Sequence, residues 1–356
     1  MGYYKDLREY ITALEDRGKL VRVKREINKD TELSPLVRWQ YRGLESSGRK
    51  GFLFENVVDS KGKKYASRVG ICLLGANRDV YALGLKCKPE EIIEKWSKAL
   101  LSPIHPVMVN KKDASLKEEI HQGATLMEHG GLAEFPIPVM TPGLDCAPYI
   151  SSGYVVTKDP ETGERNIGVY RLMLKGPTKF GIMVHEAQHI GIHWHKCKKM
   201  GKPLEAAVIV GALPVIGMTA AAKFPYGVDE YSVSGSMVNE PIQLVKCESV
   251  DLDVPATAEI VFEGEIGTDY LEPEAPFGEY TGYMGVRAMN PIFSVKSISH
   301  RKSPIFQAFL SMYPENESNV ISGTIREAAW YKYLRYDSNI PSVLDVGFLL
   351  SSGCWQ

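Results

Sequence analysis

The sequence predicts a mixed α+β protein in which an N-terminal α/β domain precedes a β-rich barrel or sandwich. Helix-like and strand-like patterns alternate up to about residue 110, which is typical of an α/β arrangement. From about residue 115 to residue 310, short apolar runs are separated by turns rich in Gly, Pro and Asp. The 356 residues are enough for two domains of ordinary size, each with its own core.

The N-terminal domain is predicted to occupy residues 1–112. Within residues 4–17, Leu7, Ile11 and Leu14 recur at helical spacing, and Gly18 predicts the end of that helix. LVRVKREI then alternates as a strand does, TELSPLVRWQYRGLE predicts a second helix, and FLFENV and RVGICLLG predict strands.

The β-rich domain is predicted to occupy residues 113–310. Its strand-like runs are VYRLMLKG, KFGIMVHE, AAVIVGAL, AEIVFEGEI and IFSVKSISH. Beyond it, YPENESNVISGTIREAAWYKYLRY predicts a loop and a helix, and PSVLDVGFLL predicts another strand. Residues 311–356 are therefore expected to begin a C-terminal α/β region.

Composition excludes several classes of function. A formal net charge of -1 argues against nucleic acid or an acidic membrane as a partner bound by bulk electrostatics. The most apolar run, residues 206–222, is interrupted by Gly and Pro, so no membrane span is expected. Six cysteines without a CxxC pair, and an N-terminus without a signal-peptide core, predict a reduced, cytoplasmic protein.

The run EAPFGE places two carboxylates, Glu274 and Glu279, on either side of a proline and a glycine. Five residues turn a helix roughly 140° beyond a full turn, and an odd separation sends strand side chains to opposite faces. No regular element would bring the two carboxylates together. Pro276 fixes its own φ and Gly278 can take a positive φ, so we expect a bent loop that turns both carboxylates toward one cavity.

HEAQH at residues 185–189 matches the H-E-x-x-H pattern of zinc proteases. In that pattern His185 and His189 bind zinc from one helix face, and Glu186 is the general base. The longer form of the pattern needs Gly at the position of Ile192, and GIMVHE reads as a strand. We therefore expect the two histidines to straddle a strand-to-helix junction, with His193 and His195 on the polar face of the helix that follows.

Two further segments carry polar residues beside short turns. In NIGVYR, Asn166 offers a carbonyl oxygen to a hard cation and Arg171 a five-donor fork to a carboxylate or phosphate. In PYGVDEYSVSG, Glu230 lies in a Gly-containing turn where backbone N–H groups could approach a phosphate. Each segment alone is also compatible with an ordinary strand entry or turn.

Taken together and in order, these segments resemble the UbiD family, the decarboxylases that depend on prenylated FMN (prFMN). The resemblance runs over essentially the whole chain and includes VPATAEIVFEGEI at 254–266 and EAPFGEYTGY. It implies a split β-barrel that binds the flavin, and reversible, non-oxidative decarboxylation of an aromatic, heteroaromatic or α,β-unsaturated carboxylic acid. It also implies a flavin prenyltransferase as cofactor supplier and a homodimer or higher homo-oligomer.

The resemblance assigns roles to individual residues. Asn166, His189 and Glu230 fall on the family's ligands for Mn²⁺ or Mg²⁺, which links the protein to the flavin phosphate, and K⁺ is implied near Ala222. Only the second histidine of HEAQH is then a ligand. The cofactor contacts implied are Ile167, Gly168, Arg171, Gln188, Ala221, Ala222 and Glu230.

Arg171, Glu274 and Glu279 fall on the family's Glu-Arg-Glu triad. In this interpretation Glu274 holds Arg171 while Glu279 faces the substrate and donates the proton, since an enclosed site raises the pKa of a Glu toward neutrality. Tyr280 and residues 318–324 are expected to form the substrate wall, although Tyr280 is equally compatible with a core tyrosine.

Two alternatives remain open from the sequence. Family members usually continue well beyond residue 350, so the chain is expected to be truncated, and it could be a partner-completed or non-catalytic subunit of a carboxylase complex. The other alternative is a zinc metalloprotease that acts through HEAQH.

Overall fold

The computed structural model describes residues 2–350, in which helices and strands alternate along the whole chain. The α-helices are α1 (Leu7–Asp16), α2 (Leu33–Gly43), α3 (Arg78–Gly84), α4 (Ile92–Ala99), α5 (His189–Lys199), α6 (Pro214–Ala220), α7 (Glu230–Val238) and α8 (Glu317–Lys332). Short 3₁₀ turns lie at Ser46–Gly48, Pro89–Glu91, Lys111–Asp113, Ser115–Glu118, Gly123–Met127 and Gly131–Glu134, and one π-helical turn lies at Tyr333–Asp337.

The strands of the N-terminal region and of the barrel are numbered together in chain order. They are β1 (Leu20–Asn28), β2 (Gly51–Val58), β3 (Arg68–Ile71), β4 (Val107–Met108), β5 (Glu119–Gln122), β6 (Tyr149–Lys158), β7 (Arg165–Gly176), β8 (Lys179–Ile182), β9 (Leu204–Val210), β10 (Gln243–Lys246), β11 (Asp253–Pro255), β12 (Ile260–Glu274), β13 (Ala288–His300) and β14 (Ile305–Ala308).

The N-terminal sheet has the order β1-β2-β3-β14. Helix α1 buries Leu7, Ile11 and Leu14 as its spacing predicts, and Asp6 caps its first turn by accepting a hydrogen bond from the Glu9 backbone N–H at 2.8 Å. Gly18 follows the helix with φ +65°, a left-handed conformation that favours glycine. The fourth strand, β14, arrives from beyond the barrel and pairs in parallel with β3, which ties the two regions together.

The central element is a closed six-stranded barrel with the order β12-β9-β6-β7-β8-β13, completed by antiparallel pairing of β13 with β12. Strand β5 extends the sheet by pairing with the last residues of β13. The barrel core is apolar and aromatic, with Phe180, Phe262 and Phe293 all fully buried. The predicted α+β class and β-barrel are thus confirmed.

One predicted element is wrong. PSVLDVGFLL forms no strand in residues 341–350, and Leu344 and Leu349 are 85% and 63% exposed. An apolar run becomes a strand only where a neighbouring strand pairs with it, and within residues 2–350 none does. The helix predicted just before it is present as α8.

None of the helices in residues 2–350 has the length and apolar character needed to cross a membrane. The five cysteines in this part of the chain are all free thiols; the sixth, Cys354, lies outside the described residues.

Candidate active site

Arg171 is held between two carboxylates on a strand of the barrel. It lies on β7, and its Nε and Nη2 donate to Glu274 Oε1 and Oε2 at 3.0 and 2.7 Å, a bidentate pairing. Its remaining amino group, Nη1, donates to Glu279 Oε1. Glu274, the last residue of β12, is fully buried and also accepts from Asn290 Nδ2 at 3.3 Å. One guanidinium therefore joins both acidic residues of EAPFGE.

The bend that brings the two carboxylates together does not use glycine as the sequence predicts. The positive φ falls on Ala275, at +78°, and not on Gly278. Gly278 is needed for space, because a Cβ there would lie 2.8 Å from both Met312 Cβ and Thr141 Oγ1. The expectation of a bent segment is correct, but the residue that makes the turn is different.

Asp145 fixes the same bend from outside the segment. Its two carboxylate oxygens accept from the Gly278 N–H at 2.8 Å and the Thr141 N–H at 2.6 Å. Burial raises the pKa of Asp145 above its ordinary value, although these N–H donors and the nearby Arg38 oppose the rise. Asp145 thus joins the residue before Glu279 to the loop at Thr141.

Tyr280 follows Glu279 and contacts α8. Its carbonyl oxygen accepts from the side-chain amides of Asn316 and Asn319 at 3.1 and 2.9 Å, and its hydroxyl accepts from Arg326 Nη2 at 3.2 Å. The ring is half-buried. In residues 318–324, also expected near the substrate, Val320 and Ile321 are buried while the two serines are half-buried.

A second polar group lies where β7 meets two helix N-termini. His189 begins α5, and its Nδ1 lies 2.8 Å from Asn166 Oδ1 near the start of β7. Glu230 begins α7, where it is 2% exposed and accepts from the Ile167 N–H at 3.0 Å. The prediction that Glu230 lies in a turn is therefore wrong, because Glu230 is the first helical residue after that turn.

The chemistry of this group fits a divalent cation next to a phosphate. An amide oxygen, an imidazole and a carboxylate suit Mn²⁺ or Mg²⁺ better than Zn²⁺. Burial raises the pKa of Glu230 to about 8, and a bound cation would favour its ionised form. Burial lowers the pKa of His189, which favours the neutral, ligating form. Asn166 Nδ2 is buried and has no hydrogen-bond partner within residues 2–350, so it is free to donate to an anion such as a phosphate oxygen.

The other expected cofactor contacts surround this group. Ile167 and Gly168 follow Asn166 on β7, Gln188 is the exposed residue just before α5, and Ala221 and Ala222 follow α6. A Cβ at Gly168 would lie 2.5 Å from the Tyr170 ring, so glycine leaves room for the Tyr170 side chain two residues further along the same strand. Strand β7 thus carries both Asn166 and Arg171 and connects the two polar groups.

Both regions of the chain match one family. Residues 11–100 match the 3-octaprenyl-4-hydroxybenzoate carboxy-lyase N-terminal domain, and residues 107–314 match the Rift-related domain of the same enzymes. The chain belongs to the UbiD family. This confirms the resemblance inferred from the sequence and makes the protein a UbiD-class enzyme.

Solved UbiD-class structures superimpose on nearly all of this chain. The evolved dimeric form of HmfF from Pelotomaculum thermopropionicum, in complex with prFMN, has a TM-score of 0.88 and 32% identity, covering 99% of this chain and 77% of that one. Vanillic acid decarboxylase from Sedimentibacter hydroxybenzoicus, in closed form, has a TM-score of 0.86 and 27% identity, covering 99% and 73%.

A curated relative carries a named activity. The phenolic acid decarboxylase of Bacillus subtilis is 29% identical, over 96% of this chain and 71% of its own length. This chain spans only part of the length of its relatives. It covers 65% of a relative from Archaeoglobus fulgidus.

The HEAQH motif does not have the geometry of a zinc protease. Strand β8 ends at Ile182 and α5 begins at His189, so His185 and Glu186 lie in an exposed connection and not on the helix of His189. Zinc proteases need both histidines on one helix face. As expected, the motif straddles a junction.

The interpretation of His193 is wrong. It is 1% exposed, its Nδ1 lies 2.9 Å from Thr157 Oγ1, and burial lowers its pKa to about 4. It is a core histidine, whereas His195 lies on the exposed side of α5 as expected. Two steps along a helix turn the side chain by about 200°, so His193 and His195 cannot lie on the same face of α5.

Three residues of the site were not found from the sequence: Asp145, Asn290 and Gly285. Each acts through contacts with residues distant in the chain; Gly285, for example, lies against the guanidinium of Arg171. No local pattern marks Asn290 or Gly285. For Asp145 a weak signal exists, because TPGLD has the composition of a turn whose aspartate accepts backbone N–H bonds.

Proposed function

We propose that this UbiD-family chain catalyses the reversible, non-oxidative decarboxylation of an aromatic, heteroaromatic or α,β-unsaturated carboxylic acid with prFMN. The observation that carries the proposal is the clamp of Arg171 by Glu274 and Glu279. The UbiD-class neighbours, a complex with prFMN and a vanillic acid decarboxylase among them, support the reaction class.

Arg171 and its two carboxylates have different tasks in this proposal. Glu274 is fully buried and accepts hydrogen bonds from both Nε and Nη2 of Arg171, so it fixes the position of the guanidinium. Glu279 is 29% exposed and bonds to one amino group only, so it can exchange that bond for a contact with substrate. Arg171, when released by Glu279, is positioned to orient the substrate carboxylate.

The reaction breaks the bond between the substrate carbon and its carboxylate, and CO₂ leaves. Bound prFMN supplies the electron sink for the electron pair left behind. Glu279, in its acid form, donates a proton to the same carbon and regains one from solvent. Carboxylation follows the same path in reverse, with Glu279 accepting the proton.

The cofactor end of the site is proposed to be built by Asn166, His189 and Glu230 around Mn²⁺ or Mg²⁺, with K⁺ near Ala221 and Ala222. The distance of 2.8 Å between His189 Nδ1 and Asn166 Oδ1, and the buried carboxylate of Glu230, support this. Tyr280 is proposed as a wall of the substrate pocket, held in place by α8. A homodimer, and a flavin prenyltransferase as cofactor supplier, complete the proposal.

The domain division proposed here follows the sequence: 1–112, 113–310 and the start of a third region at 311. The pairing of β14 with β3 means that the first two divisions share a sheet. We therefore expect them to unfold together, a point that limited proteolysis can check.

The test is native mass spectrometry with a visible spectrum, on protein co-expressed with a flavin prenyltransferase and supplied with Mn²⁺ and K⁺. We expect a mass and absorbance that match prFMN, both lost in Asn166→Ala and in Glu230→Gln. Glu240→Gln, an exposed carboxylate near the C-terminal end of α7, is the matched control and should keep the cofactor. Full flavin loading in both site variants would refute the assignment.

A further inference from the structure

We propose that His121, Glu134 and His300 form a second metal site, for a divalent transition-metal ion of the Zn²⁺ type, at the edge of the barrel. Strand β5 carries His121, and His300 ends β13. The opposite end of β13, at Ala288, pairs with Glu274 of the proposed triad, so the two sites lie at different ends of this strand.

Strand register brings the two histidines together. His121 pairs with Ile298, and His300 lies two residues further along β13, on the same face of the sheet. Their Nε2 atoms are 3.1 Å apart. Glu134, at the end of a 3₁₀ turn, brings Oε1 to 3.6 Å from His300 Nε2 and Oε2 to 3.9 Å from His121 Nε2.

These separations match the edges of a coordination tetrahedron. A Zn²⁺ ion with bonds of about 2.0–2.2 Å to nitrogen and oxygen keeps its ligand atoms about 3.3–3.6 Å apart. The distances here are 3.1, 3.6 and 3.9 Å, on both sides of that range. An ion fits after shifts of a few tenths of an ångström.

The second shell already orients one ligand. His300 Nδ1 lies 2.9 Å from the Arg301 carbonyl oxygen, which can only accept, so Nδ1 carries the proton and Nε2 has a free lone pair. In the metal-free protein, His121 Nε2–H then donates to His300 Nε2. When a metal ion binds to His121 Nε2, it displaces this proton, and the proton moves to His121 Nδ1 or to solvent.

Burial and donor chemistry favour a structural ion. His121 and His300 are 8% and 5% exposed, and the edge of Phe135 packs against His300 with ring centroids 5.4 Å apart. Glu134 is half-buried and leaves a route from solvent. Two imidazoles and a carboxylate favour Zn²⁺ over Mg²⁺ or Ca²⁺.

Two further residues of ligand type, Glu128 and His129, lie in the loop between β5 and Glu134. Ligand atoms of His121, Glu128 and His129 all lie within 4.8 Å of one another, and the His129 and His121 ring centroids are 4.9 Å apart. Both loop residues are exposed. An ion held by His121, Glu134 and His300 would connect β5 and the turn that ends at Glu134 to β13, and would stabilise the edge of the barrel.

The experiment uses the full chain, stripped with EDTA and titrated with Zn²⁺ against a chromophoric chelator. His189→Ala serves as background, because it removes the only nitrogen ligand proposed for the cofactor site and so weakens Zn²⁺ binding there. We expect one Zn²⁺ per chain in this background and a rise in melting temperature on binding. Adding Glu134→Gln should weaken Zn²⁺ binding about 100-fold or more, since even second-shell changes cost 10–100-fold. Glu90→Gln, an exposed carboxylate of the N-terminal region away from the barrel, is the matched control and should bind as the background does.

Equal Zn²⁺ affinity with and without Glu134→Gln would overturn the proposal, as would the absence of any Zn²⁺ bound to His189→Ala. Should Glu134→Gln fail to fold, the Co²⁺ spectrum of His189→Ala decides instead. Intense visible bands of tetrahedral Co²⁺ support the site, and the pale spectrum of octahedral Co²⁺ rejects it.

Discussion

Gly285 lies directly against the guanidinium of Arg171. A Cβ built on Gly285 would lie 2.6 Å from Arg171 Nη1 and 3.3 Å from Cζ. Gly285 is itself fixed by its N–H bond to the Phe277 carbonyl at 2.7 Å, within the bend that presents Glu279. The absence of a side chain at residue 285 is therefore a requirement for the position of Arg171.

Gly285→Ala should lower turnover about 100-fold while leaving the titratable groups of the site in place. The added methyl must displace a guanidinium that two carboxylates hold, and a misplacement of about 1 Å can cost that much. Steady-state decarboxylation by the prFMN-loaded enzyme measures it. Gly176→Ala is the control, because a Cβ at the end of β7 meets nothing within 4 Å. Normal turnover in Gly285→Ala would show that the clamp tolerates displacement.

Glu279→Gln should lower turnover by about 10²–10⁴-fold, the usual contribution of a positioned proton donor. Flavin content should remain, because Glu279 is not among the proposed cofactor ligands. Glu186→Gln, an exposed residue of HEAQH, is the matched control and should act as wild type. A zinc protease would give the opposite ranking of the two variants, so the same pair of measurements separates the two functions.

Glu274→Ala should destabilise the protein far more than Glu279→Ala. Removing Glu274 leaves the Nε and Nη2 groups of Arg171, a side chain that is 8% exposed, buried without an acceptor. Loss of one partner from a buried ion pair lowers the free energy of unfolding by about 3–5 kcal/mol. Glu279 is 29% exposed and forms a single bond, so we expect a cost of about 1 kcal/mol or less. Urea unfolding of both variants measures the free energies, and equal losses would contradict the division of tasks between the two residues.

Glu317 should make stability depend on pH. It is fully buried at the start of α8 and accepts backbone N–H bonds from Cys72, Leu74 and Leu310, yet burial raises its pKa to about 7. The folded state then holds a proton that the unfolded state, with a pKa near 4.5, has released. Stability contributed by this residue is therefore present below pH 4.5 and is lost as pH rises toward 7.

The measurement is the free energy of unfolding of wild type and of Glu317→Gln across pH 4.5–7.5. Wild type should lose about 3 kcal/mol relative to the variant over this interval, because burial raises the pKa of Glu317 from 4.5 to about 7 and a tenfold change in proton affinity corresponds to about 1.36 kcal/mol. Other titrating groups cancel in the difference. A difference that stays constant with pH would place the pKa of Glu317 near its ordinary value.

Local patterns predicted α1, β1 and α8 because apolar spacing and capping residues act within a few residues. The same reasoning failed for residues 341–350, where an apolar run has no pairing strand within residues 2–350, and for His193 of α5, which is buried and contacts Thr157 of β6. Ala275, not Gly278, takes the positive φ because the surrounding contacts outweigh the local preference.

The sequence by itself determined the family, the barrel class and the residues worth testing, since the order of NIGVYR, HEAQH and EAPFGE along the chain is specific. Only the tertiary structure decided that one guanidinium joins both carboxylates, that Gly285 must lack a side chain, and that His121, Glu134 and His300 meet. The physical reason is that these contacts join residues distant in the chain, and their distances are set by strand register and barrel closure, which no local pattern encodes.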